Sequence, residues 1–304
     1  MRIASLLPSA TEIAYALGAG DEVVAVSHEC DYPEAARGRP VLTGSAVDTK
    51  RLSSPEIDAA ISALLREGGS TYSIDLPLLR QLNPDLILTQ ALCDVCAVSE
   101  GQVHRALHEE QLGARVITLT PLTLAGVFQS IEEVAGAIGR VAEGRALTAT
   151  LRARVEAVRR AAPTPRPRVL ALEWFDPHFI GGHWVPEQIE AAGGIDVLGR
   201  GGERSFRVTW DQIAAADPDL VVLLPCGYGQ AEVIREARAL WEVPAWRSLR
   251  AVERGALWAV DASAWFSRPG PRVVEGIEAL AHILADPLAT DGPAGTRRLA
   301  APSA

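Results

Sequence analysis

Two grammars alternate along this chain. Short unbroken apolar runs bounded by Pro, Gly, Asn or Asp read as buried parallel strands, and longer runs with apolar residues three and four apart read as helices. On that basis Arg2–Leu7 predicts a first strand. Ser9-Ala-Thr-Glu12 has capping-box spacing and opens a helix that runs to Gly18. Glu22–Val26 predicts a second strand, leading into Ser27-His-Glu-Cys-Asp-Tyr-Pro33. Residues 54–67 suit a surface helix, closed by Gly68-Gly69. There follow a short helix near 76–82, a strand at 85–89, a helix near 99–112 and a strand at Arg115–Leu119. From Thr123 to Ala161 the pattern stays helical until Pro163, Pro165 and Pro167 stop it. A helix of that length spans roughly 50 Å. That is too long for an ordinary crossover and predicts a rigid connection between two lobes.

Beyond the prolines the pattern begins again. Arg168-Val-Leu-Ala-Leu172 echoes Arg2-Ile-Ala-Ser-Leu6, and Ala191–Val197 echoes Ala16–Val23. Ile213–Leu223 (IAAADPDLVVL) repeats Leu79–Leu88 (LRQLNPDLIL): a helix, an Asn/Asp-Pro-Asp turn and a buried strand. Echoes in matching order point to a duplication. The expected fold class is therefore α/β: two Rossmann-like lobes joined by one long rigid helix, with strand ends facing a shared ligand cleft. The boundaries are 1–120 for the N-terminal lobe, 121–165 for the connecting helix and 166–286 for the C-terminal lobe. Residues 287–304, rich in Ala, Pro, Gly, Thr and Ser, read as a flexible tail.

Composition narrows the function. A net charge of −9 offers no broad basic surface, which argues against nucleic acid as the main partner. No stretch approaches the ~20 apolar residues of a membrane span, so membrane insertion is not expected. Pro8 and Glu12 follow Met1 too soon for a secretory leader. A native start at Met1 thus implies a cytoplasmic protein with reduced cysteines. A trimmed start implies a periplasmic or envelope one.

Candidate chemistry gathers where strands end. Cys93-Asp-Val-Cys96 lies where the 85–89 strand gives way to a helix, and His28-x-Cys30 follows the second strand. His28, Cys30, Cys93 and Cys96 form a Cys3His set compatible with tetrahedral zinc. A thioredoxin-like redox site is the other use of a CxxC there. Asp94 would disfavour its thiolate, and the pair lacks the intervening Trp, Gly or Pro. All seven tryptophans lie between 174 and 265. Trp174-Phe175 and Trp265-Phe266 stand at strand mouths beside Gly and Pro, and read as a ligand wall. His178 and His183 flank Gly181-Gly182. The chain contains no GxSxG, HExxH or nucleophile–base pair, so a non-enzymatic binder is expected, with no cofactor required.

Three motifs then carry a resemblance. Ser27–Pro33 is similar to a Ser-x-x-x-Asp-Tyr-Pro turn, Asp176–Gly182 to an Asn-Pro-x-Phe-x-x-Gly loop, and Trp265–Arg272 to a Trp-Phe-x-Arg-x-x-Pro-Arg segment. Over about residues 1–286 the chain resembles the class III solute-binding proteins of ABC importers, of the vitamin B12-binding type. The resemblance implies a corrinoid such as cobalamin, or a related metal chelate, as the ligand. It places Phe179 and Trp265 against the corrin, with Tyr72 near a family tryptophan. It also implies an ABC permease as partner, docked through one carboxylate per lobe; the aligned positions here hold Pro77 and Ser267. The expected ligand-binding set is Ser9, His28, Cys30, Tyr32, Tyr72, Gln90, Cys93 and Cys96 from the first lobe. Trp174, Phe175, His178, Phe179, Cys226, Tyr228, Trp265, Phe266 and Arg268 complete it from the second.

Overall fold

The computed structural model describes residues 1–47, 51–67, 69–91 and 98–301. The chain divides into two compact units, Met1–Pro121 with Ala125–Ala149, and Leu122–Leu124 with Thr150–Ala304. Among the described residues no helix is long and apolar enough to cross a membrane.

The first unit holds strands β1 (Ile3–Ser5), β2 (Val23–Val26), β3 (Thr43–Ser45), β4 (Tyr72–Ile74), β5 (Leu86–Gln90) and β6 (Arg115–Leu119). Its helices are α1 (Pro8–Ala16), α2 (Ser54–Arg66), α3 (Leu76–Leu82) and α4 (Glu100–Glu109), and most of α5 (Leu124–Ala137) belongs to it. Four strands form a parallel sheet in the order β2-β1-β5-β6. Every residue of β1 and β5 is buried, which is why those runs show no polar alternation. β3 and β4 pair separately as an antiparallel ribbon. Reciprocal capping boxes start α2 (Ser53 with Glu56) and α4 (Ser99 with Gln102).

The stretch expected to be one connecting helix is two, α5 and α6 (Val141–Arg160). Gly139 breaks it at φ +76°, the left-handed conformation that ends helices. A Cβ at Gly144 would collide with Ala135, and the Thr148 hydroxyl donates to Glu132 (2.9 Å). The start of α6 therefore packs back along α5. The cause is a glycine pair: Gly139 makes the turn and Gly144 makes the contact.

The second unit contains β7 (Arg168–Phe175), β8 (His178–Ile180), α7 (Val185–Ala191), β9 (Ile195–Asp196), β10 (Phe206–Arg207), α8 (Trp210–Ala216), β11 (Leu220–Leu223) and α9 (Gln230–Glu236). It continues through α10 (Pro244–Arg247), α11 (Arg250–Glu253), β12 (Leu257–Val260), α12 (Ala262–Trp265), α13 (Val273–Ala285) and β13 (Thr296–Arg298). β7 lies parallel between β9 and β11, and β11 pairs β12. The parallel order β9-β7-β11-β12 repeats that of the first unit. β8 and β10 extend the sheet antiparallel beside the far half of β7.

The tail expected at 287–304 is partly built into this sheet. β13 pairs antiparallel with β12, Trp258 against Arg298. The Trp258 indole donates to the Pro287 carbonyl (2.9 Å), and the Asp261 amide donates to Gly295 (2.8 Å). Gly295, at φ +85°, leaves room for the Trp265 ring. Small residues that read as low order are there because two indoles need the space.

Candidate functional site

Each unit gathers side chains at the carboxyl ends of its parallel strands. In the first unit they form a chain of small hydroxyls. Thr11 donates to Ser5 (2.8 Å) and lies 3.1 Å from the Cys30 sulfur. Thr43 donates to Ser27 (3.2 Å) and meets Nδ1 of His28 at 2.7 Å. The His28 ring tilts against Tyr72, with centroids 5.4 Å apart, and the Tyr72 hydroxyl donates to Glu29 (3.3 Å). β2 supplies the loop bearing Ser27–Cys30, and the β3–β4 ribbon supplies Thr43 and Tyr72. Gln90 is buried at the end of β5. Ser9 is buried in the first turn of α1, and among the described residues its hydroxyl has no hydrogen-bond partner. Tyr32 stands exposed beyond this group.

Cys30, expected as a site thiol, lies 3.1 Å from the Thr11 hydroxyl. It is buried and packs with Ala14, Val23 and Val26. Its sulfur belongs to that apolar cluster and also reaches the Thr11 hydroxyl. Among the described residues, no three or more His, Cys, Asp or Glu side chains stand together as a metal site. Cys93 and Cys96 lie outside the described residues.

The second unit presents rings instead. Leu172 pairs with Ile180 but Trp174 pairs with Phe179, so Glu173 is the extra residue of a β-bulge. The bulge aligns Trp174 directly across from Phe179. On the far side of β8, Phe179 is the register partner of Arg207. Directly opposed residues share a sheet face, so Trp174, Phe179 and Arg207 form one row. Tyr228, beyond β11, meets Trp174 edge-on at 5.4 Å, and the Arg207 guanidinium lies 5.3 Å from the Phe179 ring centre. The three rings are half-buried and Arg207 is exposed. The Trp174 indole nitrogen is buried without a hydrogen-bond partner among the described residues.

The bulged acid is itself unusual. Burial pushes the Glu173 carboxyl up to about 7, against the opposing pull of the Ser205 hydroxyl (2.7 Å) and the Gly182 amide. A Cβ at Gly182 would strike the backbone of 203–205, so only glycine lets that segment approach. His183 is shifted down by burial and by Arg204 nearby.

Within the two strand-mouth pairs the structure redistributes roles. Trp174 faces the row, while Phe175, one residue on, turns into the core, as strand alternation requires. Trp265 and Phe266 are both buried; the indole sits over Gly276 and donates to Glu275 (3.3 Å). These two, and Phe175, fill core rather than line a surface. His178 is held by the Phe175 carbonyl (2.5 Å) and packs on Trp210 at 4.1 Å. Cys226 is exposed, and Arg268 is half-buried after α12.

Sequence reading missed Thr11, Thr43, Glu173, Ser205 and Arg207. Glu173 had a signal: an acid inside the otherwise apolar VLALEWF of 169–175. Arg207 had none, because its role depends on which strand lies beside it.

Residues 3–264 match the periplasmic binding protein family. The vitamin B12-binding protein of Vibrio cholerae is 26% identical over 91% of this chain and 86% of its own length. Among solved structures, the periplasmic heme-binding protein RhuT from Roseiflexus sp. RS-1 superposes with a TM-score of 0.69 at 25% identity, covering 94% of this chain and 98% of that one. The periplasmic vitamin B12 binding protein BtuF of Vibrio cholerae gives a TM-score of 0.66 at 24% identity, with 94% and 97% covered.

Proposed function

This chain belongs to the periplasmic binding protein family, and on that premise we propose that it binds a flat metal-bearing macrocycle, a corrinoid such as cobalamin first and a heme second. The observation that carries the reading is the row of half-buried rings Tyr228, Trp174 and Phe179 at the strand ends of the second unit. A planar ring system gains apolar contact and stacking from such a surface, and the Trp174 indole nitrogen, unpartnered among the described residues, offers a donor. The corrinoid is placed first because the curated relative named above binds vitamin B12; the heme reading draws on RhuT.

The family is one of binding proteins, not of enzymes, and its members deliver small ligands. Delivery to an ABC permease is part of the proposal. The expected docking positions hold Pro77, at the start of α3, and Ser267, whose hydroxyl accepts the Gly227 amide (2.9 Å). Neither is a carboxylate, so docking would use other residues. The relatives named above are described as periplasmic or as vitamin B12-binding, and none of them supports a cytoplasmic placement.

The test is a visible-absorption and tryptophan-quenching titration with cyanocobalamin, dicyanocobinamide and hemin. A saturable change with at least one of them is expected, and Trp174→Ala should weaken it. If none of the three binds the intact chain, the reading fails.

A further inference from the structure

We propose that Glu173 is a positioning residue of the ring row: its neutral carboxyl ties together the strand mouths around the bulge, and loss of its proton loosens the row and weakens the bound macrocycle. This deepens the macrocycle reading and rests on it. A bulge leaves one residue without a ladder partner, so its register has to be held by other contacts. Glu173 is that residue, between Leu172 opposite Ile180 and Trp174 opposite Phe179.

Three contacts of Glu173 do the holding. Its carboxyl accepts from the Ser205 hydroxyl (2.7 Å), on the segment that enters β10, and from the Gly182 amide, just beyond β8. Its backbone carbonyl accepts the Cys226 amide (3.1 Å), in the turn that presents Tyr228. The segment entering β10 is also clipped to β8 through its backbone. The His183 amide donates to the Glu203 carbonyl (2.6 Å), and the Val208 amide donates to His178 (3.0 Å). Glu173 thus reaches the approaches to all three rings, Tyr228 on one side and Trp174 with Phe179 on the other.

The proton matters because two effects oppose each other on the carboxyl. The Ser205 and Gly182 bonds favour the ionised form, and burial disfavours it. Burial wins, and the carboxyl stands at about 7. Above that pH the enclosed arrangement is penalised. An alternative in which the carboxylate turns to water and gives up Ser205 and Gly182 gains population. The titratable and charged groups around it are Asp176 after β7, His178 on β8, His183 beyond it, Glu203 and Arg204 before Ser205, Arg207 on β10 and Cys226. Among the described residues none of them forms an ion pair with Glu173. Arg204 acts on His183, which burial and that cation shift down, so the imidazole titrates below Glu173.

The experiment titrates cyanocobalamin, dicyanocobinamide and hemin into the wild type, Glu173→Gln, Glu173→Ala and Ser205→Ala at pH 6 and pH 8. Each variant is compared with the wild type on the same probe, so the probe's own titration cancels. Wild-type affinity should fall about fivefold or more between the two pH values. Glu173→Gln accepts the same two bonds without a charge; it should lose that fall and bind more tightly than the wild type at pH 8. Glu173→Ala accepts neither bond and should bind weakly at both. Ser205→Ala should weaken binding less than Glu173→Ala. Unfolding curves run alongside show that each variant is folded where it is titrated. A role in stability alone would move those curves and leave the affinities of the folded variants at the wild-type values, which overturns the assignment. So does a wild-type affinity that is flat with pH, or a Glu173→Gln profile that follows the wild type; in each case the macrocycle reading stands. Failure of all three probes to bind the wild type at either pH ends both.

Discussion

The two units share a skeleton and differ in what they place on it. Both build the same parallel order, β2-β1-β5-β6 in one and β9-β7-β11-β12 in the other. Both lock the amino-terminal ends of their strands in the same way. The Arg2 amide donates to Asp85 (2.7 Å) and its guanidinium to the Leu82 carbonyl; the Arg168 amide donates to Asp219 (3.0 Å) and its guanidinium to the Ala216 carbonyl. The helices that precede β5 and β11 end in the same left-handed residue, Asn83 at φ 40°, ψ 66° and Asp217 at φ 40°, ψ 68°. At the carboxyl ends the likeness stops. One unit carries linked hydroxyls under a histidine and a tyrosine, the other a row of rings. The amino ends hold the fold and stay alike; the carboxyl ends are released from that duty, and the proposed ligand surface lies there.

The sharpest way to break this contrast is to show that the tryptophans of the second unit are all ligand wall. Trp265→Ala should instead cost about 3–5 kcal/mol of unfolding stability, as large-to-small changes at buried aromatic sites do. The indole is buried over Gly276 and against Gly295. Denaturant unfolding reads the loss; unchanged stability with lost affinity would return Trp265 to the ligand surface.

The units should also respond oppositely to pH. Glu173 is raised from an ordinary 4.5 to about 7 by burial. The folded state then holds that proton more tightly than the unfolded chain. The stability it supports is full below about pH 4.5, falls as pH rises to about 7, and is flat beyond. The loss at pH 8 is at most about 3 kcal/mol. Glu173→Gln should flatten that slope and leave the protein more stable at pH 8. Glu22, in the first unit, is lowered instead, by its bond to Arg140 (2.8 Å). Its contribution is present at neutral pH and disappears as pH falls through its folded pKa. A pH–stability profile of Glu173→Gln with the same slope between 4.5 and 7 as the wild type would remove the buried acid from the account.

The skeleton was legible in the sequence for a physical reason. Strands buried on both faces must be unbroken apolar runs, and Asn83 and Asp217 must sit before Pro-Asp where the helix has to stop. The echo of 79–88 in 213–223 thus reported real geometry. What was not legible depended on pairing. The ribbon β3–β4, the short β9 and the edge strands β10 and β13 have too few residues to show a period. The ring row exists only because a one-residue bulge at Glu173 shifts the register, and β10 brings Arg207 to Phe179. Burial of Cys30 and Trp265 was equally hidden, because a residue at a strand end can turn either way.

Affinity offers the next contrast. Trp174→Ala removes the middle of the row and should weaken the best-binding macrocycle by about 2 kcal/mol, roughly thirtyfold, with little change in stability. Tyr72→Ala, at the matching end of the first unit, takes away a ring that already leans on His28. Its effect should be smaller. Quenching and absorption titrations on both variants decide it. A larger loss from Tyr72→Ala would move the main binding surface to the first unit.

The smallest effect tests the shared skeleton itself. Asn83 and Asp217 both hold a left-handed conformation that costs an L-residue energy and costs glycine none. Asn83 makes this turn with its backbone amide bonded to Leu79 (2.9 Å), a bond that glycine keeps. Asn83→Gly should therefore stabilise the protein by about 0.5 kcal/mol, the relief of strain being partly offset by the freer unfolded chain. Asp217 has a second task, since its carboxylate accepts from Arg250 at 2.9 Å, and Arg250 also reaches Asp219. Asp217→Gly gains the same backbone relief and loses that pairing, so its net gain should be smaller. Equal gains would mean that the Arg250 contact contributes nothing and that the two turns are interchangeable. A loss at Asn83 would mean that the side chain there does more than tolerate its backbone, and the likeness of the two turns would stop at their dihedral angles.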